Sequence, residues 1–76
     1  MNPFEKMELK KETFTKKEMI IYDLLHNDLE IILRSSATDL SKNYHVSQAT
    51  ITSFCQKLEY DLFNEFKFDV FRLEKK

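Results

Sequence analysis

Four polar side chains recur along one side of a short helical segment, and their chemistry suits the recognition of DNA bases. The segment runs from Leu40 to Leu58 and reads LSKNYHVSQATITSFCQKL. Its apolar residues fall at i, i+3, i+4 and i+7, which is one face of a helix. They are Ile51, Phe54, Cys55 and Leu58. The opposite face carries Gln48, Thr52, Ser53 and Gln56. Because amides and hydroxyls can hydrogen-bond base edges in the major groove, this spacing predicts binding of duplex DNA, with a merely solvated helix face as the alternative.

Small side chains and two lysines flank this polar face. Ser47 is predicted to cap the helix and to lie near a bound phosphate, although capping alone would also explain it. Ala49 can contact a thymine methyl group, and Thr50 can donate to a phosphate. Lys42 and Lys57 are further candidates for phosphate contacts, whereas a lone surface lysine is usually only solvated.

The charge of the chain is unevenly distributed along the sequence. The formal net charge is −1, whereas proteins that depend on phosphate contacts usually carry a basic surplus. Residues 40–58 nevertheless contain two lysines and no acidic residue. We therefore expect weak non-specific DNA binding with a shallow dependence on salt.

The composition offers no arrangement suited to catalysis or to metal binding. Neither His26 nor His45 lies at helical spacing from Cys55, which belongs to the apolar face and is expected to be a small buried hydrophobe. One cysteine and two distant histidines do not make a zinc site. A glycine-rich phosphate loop is excluded because the chain has no glycine. We expect no enzyme, no cofactor and no metal.

Helical periodicity recurs along the chain and strand-like alternation is absent. This pattern predicts an all-α bundle of about five or six short helices. The first helix should begin at Pro3 and end near Lys11. The second should follow Thr15, with Glu18 completing a capping box, and end near residues 26–27. A short third helix should begin after Asn27 or Asp28 and end at Ser35–Ser36.

The two helices of the DNA-binding motif are predicted at about residues 38–44 and 48–58, followed by a last helix at about 62–74. Ser36 with Asp39 forms another capping-box pattern before the first of them. The turn between the two usually needs a residue at positive φ. In a chain without glycine, His45 or else Tyr44 must adopt that conformation at some cost.

The last helix carries more aromatic residues than one core face requires. One stripe is predicted to pack on the core, and it contains Leu62, Phe63, Phe66, Val70 and Leu73. Phe68 and Phe71 fall toward a different side. They either widen the core face or contact a second copy or another domain, and Phe4 and Met7 could join such a contact.

The 76 residues correspond to one small domain, 1–76, which should bury ~60% of its unfolded surface. No apolar run approaches the ~18 residues of a membrane span, and the charged N-terminal segment does not resemble a signal peptide. A single cysteine fits a reducing compartment, so a cytoplasmic location is expected. The charged ending LEKK is expected of a domain excised within a linker, with a natural stand-alone protein as the alternative.

From Phe14 to about Leu73 the sequence resembles the N-terminal domain of RpiR-type bacterial transcriptional regulators. The matching segments are FTKKEMIIYDLL, NDLEIIL, SSATDLSKNYHVSQATITSFCQKL and EYDLFNEFK, and VSQATITSFCQKL is the most specific part. The resemblance covers about four-fifths of the chain. It implies a homeodomain-like helix-turn-helix fold that binds double-stranded DNA in a regulator of sugar or phosphosugar metabolism. A homodimer is expected, since dimeric proteins of this kind bind half-sites about one helical turn apart.

The resemblance also implies a phosphosugar effector, which would bind a sugar-isomerase-type domain that these 76 residues do not contain. The chain departs from the family pattern at four positions. Glycine is common in place of His45 and Glu59, and arginine is common in place of Ser53 and Gln56. The two missing arginines indicate either a different operator, recognised through glutamine and hydroxyls, or a loss of DNA binding. In the second case the domain would be a helical protein-interaction or dimerisation module.

Overall fold

Six α-helices account for most of residues 1–74, which are the residues that the computed structural model describes. They are α1 (Pro3–Lys10), α2 (Lys16–Asn27), α3 (Leu29–Arg34), α4 (Ala37–Tyr44), α5 (Gln48–Lys57) and α6 (Phe63–Glu74), with a 3-10 turn at Lys11–Thr13. No strand occurs within residues 1–74, so the predicted all-α fold is confirmed. The boundaries predicted for the two motif helices agree with α4 and α5 to within one residue. Lys75 and Lys76 of the LEKK ending lie outside the described residues.

Side-chain caps start most of these helices. The predicted capping boxes at Thr15 and Ser36 are both present, and a third box at Asn2 precedes α1. In each box the cap side chain accepts from a backbone N–H three residues on, which satisfies a donor that the helix itself leaves free. Asp28 occupies the cap position of α3 but makes no side-chain capping bond there.

The core forms around two phenylalanines, one from α5 and one from α6. Phe54 and Phe66 are both 0% exposed, and their ring centroids lie 5.9 Å apart in an edge-to-face arrangement. Phe14, which precedes α2, covers Phe54 at 4.7 Å. Burying each such ring stabilises the fold by about 1.5–3 kcal/mol. Within residues 1–74 no helix is long and apolar enough to cross a membrane.

Among residues 1–74, two non-glycine residues adopt the left-handed conformation, one at each end of α5. The predicted residue, His45, has φ 57°. Glu59, with φ 70°, was not predicted. It closes α5, because its N–H donates to Gln56 O at 2.9 Å while the Tyr60 N–H donates to Cys55 O at 3.0 Å. These two bonds form a Schellman motif, in which the left-handed residue is normally glycine. The glycine that is common at position 59 in the family was therefore the sequence signal for this turn.

Two predictions about apolar residues were wrong. Leu62, assigned to the core stripe of the last helix, is 63% exposed because α6 begins one residue later, at Phe63. Its N–H donates to Glu65 Oε1 at 3.0 Å. Met7, named as a possible contact residue, is 0% exposed and belongs to the core. The rest of the predicted stripe is buried or half-buried.

Replacing His45 or Glu59 with glycine should stabilise the domain, because glycine adopts positive φ without steric cost. Both side chains are exposed, so little packing is lost, and the expected gain is about 1 kcal/mol each. Thermal unfolding followed by circular dichroism measures it. Asn43→Gly is the matched control at an exposed helical position and should instead cost about 0.3 kcal/mol. Destabilisation at all three positions would contradict the argument.

Candidate nucleic-acid interface

The turn between α4 and α5 sets the direction of α5. His45 ends α4 in the left-handed conformation, and Val46, 2% exposed, anchors the turn in the core. Ser47 Oγ then accepts from the Thr50 N–H at 3.0 Å, which confirms the predicted cap. Lys17 of α2 donates from Nζ to the His45 carbonyl oxygen at 3.1 Å. That bond satisfies a carbonyl near the end of α4, where helical partners run out.

The exposed face of α5 carries four of the predicted DNA contacts: Gln48, Ala49, Thr52 and Gln56. Three of them are four residues apart, so their side chains stand one above another along ~12 Å of helix. The first turn of α5 contains no acidic residue. The face therefore presents amides, a hydroxyl and methyl groups to base edges, with no carboxylate in that turn to repel phosphates.

Three of the predicted contacts, Ser47, Gln48 and Thr50, make hydrogen bonds within the motif itself. Gln48 Nε2 donates to Thr38 Oγ1 of α4 at 3.3 Å, so the Gln48 amide is held between the two helices. The hydroxyls of Ser47 and Thr50 lie 2.8 Å apart. Lys42 is exposed in the last turn of α4. Thr38 was not among the predicted contacts, although its place at the start of the first motif helix was a usable signal.

The remaining two predicted contacts interact with the interior of the domain. Lys57 Nζ lies 2.6 Å from Glu18 Oε1 and 2.5 Å from the carbonyl oxygen of Thr13. The Glu18 side chain is only 2% exposed, and that of Lys57 is 29% exposed. The Ser53 hydroxyl also hydrogen-bonds Glu18. Glu18 was predicted only as part of a helix cap, because the spacing of residues along the sequence does not indicate that residues 18 and 57 lie together.

The ionised form of Glu18 is stabilised despite its burial. Desolvation by itself raises the pKa of this carboxyl. Hydrogen bonds from Lys57, the Thr15 backbone N–H and Ser53 outweigh that effect, so the pKa lies below its usual value. A group whose pKa is lower in the folded than in the unfolded protein stabilises the fold at neutral pH, and this contribution is lost as the pH falls through the folded-state pKa.

Cys55 has the environment of a packed hydrophobe, as predicted. The residue is 1% exposed, and desolvation raises the pKa of its thiol to about 12. A thiol in that state is a poor nucleophile and a poor metal ligand at neutral pH. Among residues 1–74 there is also no group of three or more His, Cys, Asp or Glu that could hold a metal ion.

The predicted contact residues of α6 lie on its outer side. Phe68 is 62% exposed and Phe71 is 49% exposed. The Arg72 guanidinium lies 5.7 Å from the centroid of the Phe68 ring. Phe4 is half-buried and packs edge-on against His26 at 5.8 Å, so only part of its ring is available to another molecule.

Comparisons with known proteins agree with this geometry. The helix-turn-helix domain of the rpiR family matches residues 1–74. The chain is 34% identical over 67 residues to the uncharacterized HTH-type transcriptional regulator CPE0189 of Clostridium perfringens (strain 13 / Type A). That alignment covers 88% of this chain and 24% of the relative, so the chain spans about a quarter of the relative's length. No solved structure matches the chain significantly.

Glu18→Gln should lower the free energy of unfolding at pH 7 by about 1.5–3 kcal/mol, because a buried charge-assisted hydrogen bond is lost. The deficit should shrink as the pH falls from 4.5, the ordinary pKa of a glutamate, toward the lower folded-state pKa of Glu18, since the carboxyl then becomes protonated first in the unfolded and finally in the folded wild-type protein. Urea unfolding at a series of pH values measures both effects. Glu12→Gln, at an exposed position, is the control and should change little. A deficit that stays constant across this pH range would show that charge is not its cause.

Proposed function

The chain belongs to the rpiR family of helix-turn-helix domains, and from this membership we propose that it binds duplex DNA with α5 in the major groove. The observation that carries the proposal is the exposed face of α5. It holds two glutamines and a threonine on one side of a helix whose first turn has no acidic residue. α4 would cross above α5, next to the phosphate backbone.

Each residue of the face has a role that follows from its chemistry. Gln48 and Gln56 can pair with adenine through two hydrogen bonds, and the methyl groups of Ala49 and Thr52 can contact thymine. The phosphate contacts proposed within the motif come from Lys42, Ser47 and Thr50, the last two at the N-terminus of α5, where a helix attracts anions.

We assign Lys57 and Ser53 to the positioning of α5 rather than to direct contact with DNA. Both interact with buried Glu18 in the free domain. Withdrawing the Lys57 ammonium toward a phosphate would leave a buried carboxylate without its charged partner, which costs several kcal/mol.

We further propose that two copies bind a two-fold-symmetric site, with half-sites about one helical turn apart. The contact between copies would use the outer side of α6, where Phe68 and Phe71 are exposed, together with the accessible part of Phe4. Large exposed aromatic side chains placed close together commonly mark a protein contact.

The regulatory role is proposed from the family resemblance. The relative in Clostridium perfringens is called a transcriptional regulator, and this chain spans about a quarter of it. We propose that the whole protein acts in the cytoplasm on genes of sugar or phosphosugar metabolism. A phosphosugar would bind a sugar-isomerase-type domain in the remainder of that protein.

A second candidate function, a protein-interaction module without DNA binding, is favoured by two observations. Ser53 and Gln56 stand where arginine is common in the family, and Phe68 and Phe71 are exposed. This alternative differs from the first in predicting self-association or partner capture without salt-sensitive DNA binding.

Selection of random duplex DNA by the purified domain, followed by anisotropy titrations at two salt concentrations, tests the proposal. Enrichment of a two-fold-symmetric site, with affinity that falls as salt rises, is the expected result. If no sequence is enriched and no binding occurs at low salt, the interaction module becomes the better account.

Gln48→Ala and Gln56→Ala should each weaken binding to the selected site by about 1–3 kcal/mol and relax the preference at one base position. The physical reason is the loss of a bidentate amide–base pair. Anisotropy titrations against the selected site and single-base variants measure both effects. Asn27→Ala removes an exposed amide at the opposite end of α2 from Glu18, and it should leave affinity and preference unchanged. If both glutamine variants keep the wild-type preference, the assigned face is wrong.

A further inference from the structure

An open groove of about 580 Å³ continues from the exposed face of α5. Thr52 belongs to both surfaces: it is one of the exposed residues of α5, and it lines the groove. The other walls come from the α3–α4 connection and from the start of α6. They contribute Arg34, Ser36, Asn64 and Lys67. The groove has the size of a ligand-binding cleft. Its polar side chains are mainly hydrogen-bond donors, and Ala37, Leu62 and Phe63 also line it.

Lys67 is held at the groove in a fixed position. Its Nζ donates to the carbonyl oxygen of Ser35 at 2.6 Å and lies 4.9 Å from the centroid of the Phe63 ring. The side chain is half-buried, so its aliphatic stem covers apolar surface while the ammonium reaches the groove. A carbonyl oxygen and an aromatic ring orient the charge without neutralising it.

Arg34 supplies a second cation on the α3 side of the groove. Its Nε lies 3.3 Å from Glu30 Oε2, and the two side chains are 80% and 71% exposed. Ion pairs this exposed contribute little stability, so the guanidinium can exchange Glu30 for another anion at small cost. The acidic residue that lines the groove is Asp39, whose Oδ2 accepts from the Ser36 N–H at 3.2 Å as part of the α4 cap.

We propose that this groove holds the sugar–phosphate backbone of the DNA strand that flanks α5. The inference rests on the proposed function and extends its contact surface from α5 to Arg34, Asn64 and Lys67. Two arguments favour DNA backbone as the occupant. The groove joins the exposed face of α5 at Thr52. Its lining contains two cationic side chains, Arg34 and Lys67, and only one carboxylate, that of Asp39. The exposed face of α5 has only glutamines, a threonine and small residues, and the motif contains no arginine. Phosphate contacts from outside the motif therefore supply the affinity for the DNA backbone that the motif itself lacks.

Lys67→Gln and Arg34→Gln test the inference in anisotropy titrations of the 76-residue domain with duplex DNA over a series of salt concentrations. Each variant should bind all sequences about fivefold more weakly, as expected for one phosphate contact in water. The slope of log affinity against log salt should fall by about 0.9 per contact. Preference among sequences should not change, because phosphates carry no sequence information.

Lys10→Gln is the matched control. It removes the same charge from the last turn of α1, where Lys10 is exposed and does not line the groove. This variant should bind like wild type, and circular dichroism should show all three variants folded. Equal weakening by all three would reflect net charge alone and would overturn the inference.

The outcomes separate the two proposals. Wild-type binding that depends on salt, with no change in affinity or slope for Lys67→Gln and Arg34→Gln, overturns the groove and leaves α5 as the DNA-binding element. Wild-type protein that shows no salt-dependent binding overturns both. A base-dependent change in the two variants would mean that the groove contacts bases, which also contradicts the assignment to backbone.

Discussion

The hydrogen-bonded, buried carboxylate of Glu18 is the interaction on which the position of α5 depends. It accepts hydrogen bonds from the N-terminus of α2, through Thr15, and from the C-terminal part of α5, through Lys57 and Ser53. A buried charge is tolerated only when its partners are in place, so any arrangement that moves α5 away from α2 is strongly unfavourable. One side chain thereby completes a helix cap and fixes the end of α5 that lies farthest from the turn.

Packing and backbone conformation hold the turns at both ends of α5. Val46 enters the core from the turn, and His45 adopts a left-handed conformation that costs a residue with a side chain about 1–2 kcal/mol. Glu59 adopts the same conformation where α5 ends, and Tyr60 follows it into contact with Phe66 at 5.5 Å. The Tyr60 hydroxyl donates to Asp69 Oδ2 at 2.5 Å. Burial and hydrogen bonding of the neighbouring residues offset the strain on both sides, so the fold holds these turns without glycine.

The electrostatic consequence concerns where DNA affinity can arise. The chain has a net charge of −1, and one of the two lysines in residues 40–58 is engaged by Glu18. The exposed face of α5 is thus suited to base recognition more than to strong attraction of phosphates. Cations held at neighbouring elements, such as Lys67 beside Ser35, are the proposed source of further backbone contacts. Under this proposal the base contacts come from α5, and part of the affinity for phosphates comes from other elements of the domain.

Local signals in the sequence determined the helices and the polar face. The pairs Thr15/Glu18 and Ser36/Asp39 marked where α2 and α4 begin, because capping is an interaction between residues three apart. The spacing of Ile51, Phe54 and Leu58 determined which side of α5 is buried, and the lack of glycine predicted strain at His45.

Tertiary structure alone decided which polar residues face outward to a partner and which are used internally. Lys57 and Gln56 are neighbours in sequence, yet the Lys57 ammonium is bound by a carboxylate 39 residues away while Gln56 is exposed. Met7 was misplaced for the same reason, whereas Leu62 was misplaced because α6 begins one residue later than predicted. Helical periodicity defines a face but not what packs against it, and long-range partners are set by how the helices dock rather than by spacing along the chain.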